Sequence, residues 1–419
     1  MTVIDLGELG HGTEPVPEPR RPRAPGRPLR VVLAGLLALL TPVAAAPPPD
    51  RPALLFGRAQ PEPGWTVTDD LLVVVESPGG GSLPTRQLVA LGLPDGRTRW
   101  TWSLPAGEQL VGLDTVGGDV VVSVEPGDGP AAVLLDPTDG RVRWRQPGAA
   151  VPTGDGGLLL ETVDPGQVTV RGVDPVAGTV RWTATTGPGT VGYRTAGRVI
   201  EAVVVVTRSG RVEVRDPHTG VARTTFRVPP ARGESYELAQ VAGDLLLIDG
   251  DPGRMTAYDL GTGARRWQVP FDPRSAPFAD ACGGALCLRS ETGARVLDPA
   301  TGQLRWADER WMPLFPLGDR LLGVRADEAE RLALLDPATG RVTADLGRWR
   351  LVGGPSAGPP QLVSRPVAGD RQLLGGLGAD GELRLRDLLP ERGDMCFARD
   401  RTLVCWRPSG ELRAWRLSG

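Results

Sequence analysis

The stretch Val133-Leu134-Leu135-Asp136-Pro137-Thr138-Asp139-Gly140-Arg141-Val142-Arg143-Trp144 reads as a β-hairpin closed by a tryptophan. Val133 to Leu135 form an apolar strand. Asp136 opens the turn by offering its carboxylate to nearby backbone N–H groups, Pro137 presets φ, and Gly140 takes the position that needs φ > 0. Arg141 to Trp144 return as the next strand. A hairpin of this size cannot cover its own apolar face, so it must be stacked against similar units.

The same spacing, glycine four and tryptophan eight residues after the aspartate, recurs at Asp174-Gly178-Trp182, Asp259-Gly263-Trp267 and Asp298-Gly302-Trp306. Three copies depart from it: Gly92-Gly96-Trp100 lacks the aspartate, Asp216-Gly220 carries Thr224 in the tryptophan place, and Asp336-Gly340 carries Ala344 there. Successive copies lie 38 to 44 residues apart. That length fits four short strands, one propeller blade rather than one solenoid coil. Apolar runs such as 71–75, 120–124, 158–161, 203–207 and 245–248 supply a further strand before each hairpin. Trp100, Trp144, Trp182, Trp267 and Trp306 read as structural wedges docked between neighbouring sheets.

The run from Ala257 to Trp267, AYDLGTGARRW, resembles the tryptophan-docking motif A-x-D-x-x-T-G-x-x-x-W of quinoprotein-type β-propeller repeats. Such repeats occur in pyrroloquinoline quinone (PQQ) dehydrogenases and in cofactor-free binding proteins such as the BamB-type outer-membrane assembly lipoprotein. The order of an arginine-rich tail, one hydrophobic segment and then repeats is similar to anchored PQQ-like repeat proteins of actinobacteria. The resemblance implies an all-β propeller of PQQ-like repeats over residues 61–419. Eight four-stranded blades are expected, with seven or nine as alternatives, because residues 345–400 show no regular signature. The last hairpin, from Thr402 to Leu417, ends without an outer strand, and Ala53 to Arg58 is placed to lend one.

Upstream of the repeats, residues 1–28 are rich in proline and charge and are expected to be a disordered cytoplasmic tail. Residues 29–46 are expected to form one transmembrane helix: Val31 to Ala46 is an uncharged run of sixteen residues preceded by Arg20, Arg21, Arg23, Arg27 and Arg30. The positive-inside rule then leaves the tail in the cytoplasm and the propeller outside, making the protein single-pass at the cell membrane. Residues 47–60 form a linker with the candidate ring-closing strand. A cleaved signal peptide is the alternative, since the run is short for a span, and it would secrete the propeller. Pro47 next to the scissile bond and the long polar tail favour the anchor. No cysteine adjoins the segment, which argues against a lipid anchor.

Four cysteines occur, Cys282 with Cys287 and Cys396 with Cys405, each pair straddling a turn between short apolar strands. Two hairpin disulfides are expected, consistent with export. A net charge of −3 carries no basic domain suited to nucleic acid. The chain has two histidines, His11 in the tail and His218 inside a DPHTG turn. Histidine zinc sites and Ser-His-Asp triads therefore have no material. Quinoprotein dehydrogenases hold PQQ and calcium with carboxylates and asparagine, often under adjacent cysteines; this chain has no asparagine and no adjacent cysteines. No cofactor and no metal are expected. Gly187 to Gly192 read as a plain loop, and Asp327-Glu328-Ala329-Glu330 as a solvated one. The expected function is a non-catalytic binding or scaffold module, a monomeric ring, for protein, peptide or cell-envelope ligand. The alternatives are a quinoprotein-like or other enzyme with a channel-mouth site and a transmembrane sensor.

Overall fold

A computed structural model describes residues 54–58 and 65–417, apart from short stretches at 77–85, 94, 128, 165, 232–235, 237–238, 252, 272–277, 291–292, 329, 354–361, 400–401 and 408–410. The expected tail, the segment 29–46 and most of the linker lie outside the described residues. Among the described residues no helix is long and apolar enough to cross a membrane.

The described chain is all-β, with nine four-stranded antiparallel sheets. Eight are meanders, here blades 1 to 8, at residues 65–103, 109–147, 149–185, 189–227, 239–270, 278–308, 311–348 and 350–389. Their strands are called a to d in chain order. Blade 9 takes strands a to c from residues 395–416, and its outer strand is Leu54–Arg58, which pairs antiparallel with Glu411–Arg416. The a strands of neighbouring blades approach one another, so they are innermost. A meander of this kind puts the a–b and c–d turns at one face of the ring and the b–c turns and blade-to-blade connections at the other.

The count is nine, one more than the eight expected. Blade 8 explains the difference. Its c–d turn, Gly378 to Glu382, has no Asp-Pro and no following tryptophan, and Asp387, which continues the aspartate series in sequence, lies inside strand d. The blade forms because its strands alternate correctly, without the docking signature.

Strand periodicity sets the core. Side chains of a strand point to alternate faces, and both faces of a blade meet another blade. In strand b of blade 1, Leu71, Val73 and Val75 join a cluster with Val120 and Val122 of blade 2, whereas Leu72 and Val74 join Val404 and Leu412 of blade 9. This is why the b strands read as continuous runs of Val and Leu. Each hydrophobic cluster of the described residues straddles two neighbouring blades, and the set runs around the ring without a break.

Candidate binding site

The tryptophans dock from one blade onto the next. The Trp100 Nε1–H of blade 1 donates to the Pro137 carbonyl in the c–d turn of blade 2 at 2.8 Å. Trp144 does the same to Pro175 at 3.0 Å, Trp182 to Pro217 at 3.1 Å, Trp267 to Pro299 at 2.8 Å and Trp306 to Pro337 at 3.1 Å. The indole lies over the turn glycine. Gly140 has φ +73° and a Cβ on it would sit 2.6 Å from the Trp100 ring, so the position demands glycine twice over. Trp100, Trp144 and Trp267 are buried; Trp182 and Trp306 are half-buried. At the degenerate copy in blade 4, Thr224 Oγ1 donates to the Gly261 carbonyl at 3.2 Å and Phe226 covers Gly263.

The turn aspartate does more than cap its turn. Asp136 Oδ1 accepts the Thr138 N–H at 2.8 Å, and its Oδ2 accepts Arg143 Nη2 at 2.8 Å, from the residue just before the tryptophan. Arg181 holds Asp174, Arg223 holds Asp216, Arg266 holds Asp259 and Arg305 holds Asp298. The Thr138 hydroxyl and N–H hold the Asp136 carboxyl down at about 2, and the Arg266 guanidinium does so for Asp259, with Thr262 adding to it against the effect of burial. These arginines were not singled out from sequence. The Arg-Trp pair, recurring at residues 99–100, 143–144, 181–182, 266–267 and 305–306, is the signal that marks them.

His218 has a second bond besides its turn. Its N–H donates to Asp216 Oδ1 at 2.9 Å, and its ring Nε2 lies 2.9 Å from Asp155 Oδ2 in the a–b turn of blade 3. Asp155 Oδ1 in turn accepts the Thr153 hydroxyl at 2.5 Å. The arrangement ties blades 3 and 4 together, with the Thr153 hydroxyl and the His218 ring on opposite oxygens of Asp155.

Both cysteine pairs are disulfide-bonded across strands a and b, Cys282–Cys287 in blade 6 with Cα atoms 5.9 Å apart and Cys396–Cys405 in blade 9 at 4.1 Å. All four are buried. The first disulfide clamps the tight turn Gly283-Gly284.

That turn forms one wall of a cavity of about 600 Å³ on the face of the a–b and c–d turns, between blades 5 and 6. Its floor is small and apolar, with Leu245, Ala285 and Leu286; its rim is charged, with Arg266 on Asp259 and Arg194 on Asp244. Arg194 comes from strand a of blade 4 and also reaches Glu201 at 3.3 Å. The room exists because Gly243, Gly261 and Gly284 carry no side chain at the mouth. A second cavity, of about 440 Å³, lies at the opposite face beside Pro188, Arg208 and Pro230. Among the described residues no cluster of His, Cys, Asp and Glu has the form of a metal site.

The profile of the family described as outer membrane protein assembly factor BamB matches residues 84–251 and again 251–394. The chain belongs to that family. Solved structures that align with the chain include BamB from Moraxella catarrhalis, at 18% identity and a TM-score of 0.41, over 66% of this chain and 83% of that one. A europium-containing methanol dehydrogenase aligns at 13% identity and a TM-score of 0.39, over 86% of this chain and 83% of the other. The C-terminal WD40 domain of Sif2 aligns at 10% and 0.41, over 88% and 99%. No curated protein matches the chain. Within this family the ring is a PQQ-like β-propeller.

Proposed function

We propose that the protein is a non-catalytic scaffold that binds a protein partner through the face of the a–b and c–d turns, held outside the cell membrane by an anchor at residues 29–46. The cavity between blades 5 and 6 carries this reading: it is rigidly walled by a disulfide-clamped turn and a tryptophan-docked joint, and its polar groups are paired Arg and Asp rather than an acid–base–nucleophile set. Loops on a rigid scaffold are where binding residues concentrate. Membership of the BamB family supports the reading at the level of a protein-interaction propeller.

A photo-crosslinking residue at the exposed position of Asp244 tests it in living cells. A discrete adduct from position 244 and none from Arg208, on the opposite face, is the expected result. Labelling from 208 alone, or from neither, would move or remove the binding face. For the anchor, a reporter active only outside the cytoplasm is expected to work fused after Gly419 and to fail before Met1.

A further inference from the structure

Blade 2 contains an internal template for what the cavity between blades 5 and 6 lacks. Arg143 places Nε and Nη2 on Asp136 Oδ2, at 3.1 and 2.8 Å, and its remaining nitrogen, Nη1, on Asp119 Oδ2 at 2.7 Å. Asp119 is buried on the first residue after the a–b turn, opposite Val116. One guanidinium thus holds two carboxylates. Burial first, and then the nearby Asp136, raise the Asp119 carboxyl above its ordinary range while Arg143 acts the other way.

In blade 5 the same guanidinium is half satisfied. Arg266 places Nε and Nη2 on Asp259 Oδ2, at 3.2 and 2.5 Å, repeating the first half of the Arg143 arrangement atom for atom. The residue at the Asp119 position is Leu245, opposite Ala242 across the same turn. No bond reaches Arg266 Nη1 among the described residues. In blade 6, where Ala285 holds that position opposite Cys282, Arg305 fills the corresponding vacancy by donating Nη1 to the Gly284 carbonyl at 3.3 Å. Arg266 has no such substitute, and Leu245, Ala285 and Arg266 all line the cavity.

We propose that this cavity receives the acidic side chain of a partner polypeptide, its carboxylate seated on Nη1 of Arg266 where blade 2 seats its own Asp119. The proposal rests on the reading of this face as a protein-binding face and adds the chemistry of what is recognised. The apolar floor of Leu245, Ala285 and Leu286 takes the methylenes of the incoming side chain, and glycines at the mouth let a backbone approach closely. A carboxylate beside Asp259 is tolerated because the guanidinium lies between the two, as it does between Asp119 and Asp136. Charge-assisted bonds of this kind are short and directional, so an amide in place of the carboxylate is a poor substitute.

The test uses the full-length chain and two pools of fluorescent hexapeptides, acetylated and amidated at their ends, identical except for one central glutamate or glutamine. The parent is expected to prefer the glutamate pool by about tenfold in Kd, the size of one charged hydrogen bond. Arg266→Gln is expected to abolish the preference. Leu245→Asp rebuilds the blade 2 arrangement and is expected to block the site with the chain's own carboxylate; should that variant fold poorly, Arg266→Gln still decides, since its side chain is half exposed. Equal binding of the two pools, or a preference that survives Arg266→Gln, would overturn carboxylate recognition while leaving a peptide-binding face in place. Binding of neither pool would overturn both.

Discussion

Two arcs of this ring hold their blades together in different ways. From blade 1 to blade 7 each joint has the same latch: an aromatic ring or hydroxyl from strand d resting on the next c–d turn, whose aspartate is fixed by arginine in blades 2 to 6 and by Thr339 in blade 7. From blade 7 through blade 9 and back to blade 1 the latch is missing. Ala344 stands in the tryptophan place. Arg350 of blade 8 instead reaches Glu330 of blade 7 and Asp394 of blade 9. Arg407 pairs with Asp370 at 3.0 Å and Arg413 with Glu391 at 3.1 Å. The Gly393 N–H donates to buried Gln372 Oε1 at 2.6 Å. At the closing joint Trp65 packs on Phe397 and Trp406, with ring centroids 5.3 and 6.1 Å apart. Apolar burial between sheets builds a joint in both arcs; the polar latch that registers it is interchangeable.

The largest effect should come from breaking the repeated latch. Trp144→Ala removes a buried indole and its bond to Pro175, and is expected to cost about 3–5 kcal/mol in denaturant unfolding. A loss under about 1 kcal/mol would mean that the joint does not depend on the docked ring. In the other arc, opening Cys396–Cys405 by a double Cys→Ala substitution should cost about 2–3 kcal/mol by the loop-entropy argument, read most clearly as faster amide exchange in blades 8 and 9.

How much of this was legible beforehand follows the same division. The docked arc is written in the sequence because its chemistry is local: aspartate, glycine and tryptophan sit within nine residues, and each has a steric or hydrogen-bonding duty there. Blade 8 is not, since its defining contacts, Arg350 to Glu330 and Arg350 to Asp394, join residues 20 and 44 positions apart. Eight blades were expected and nine formed for that reason. The cavity was invisible for a related one. Its open place beside Arg266 depends on Leu245 standing where Asp119 stands in blade 2, an equivalence that only strand register discloses.

Salt should separate the arcs further. Arg350→Gln is expected to cost about 1 kcal/mol at low ionic strength and less as salt rises, whereas the Trp144→Ala cost should not depend on salt. Equal salt responses would erase the distinction. Acid should act the other way round. The Asp136 and Asp259 carboxyls titrate at about 2 in the folded chain against 3.8 ordinarily, so their stabilisation is complete above about 3.8 and is lost as pH falls toward 2. Blades 2 and 5 should therefore loosen over that window, with Asp259→Asn flattening the response in blade 5. The smallest effect is expected from Arg208→Ala, within about 0.5 kcal/mol, as for other surface changes.

The outer strand of blade 9 imposes an order of events. Leu54 pairs with Ala414, so the first strand described is bonded to the last. During synthesis residues 54–58 must wait, with an open hydrogen-bonding edge, until residues 411–416 have followed. Such a distant pairing is slow to find. A chain halted before residue 411 would carry two unsatisfied edges at once, and these are the edges a second chain could join. Closure of the ring is thus recorded in a single β-ladder.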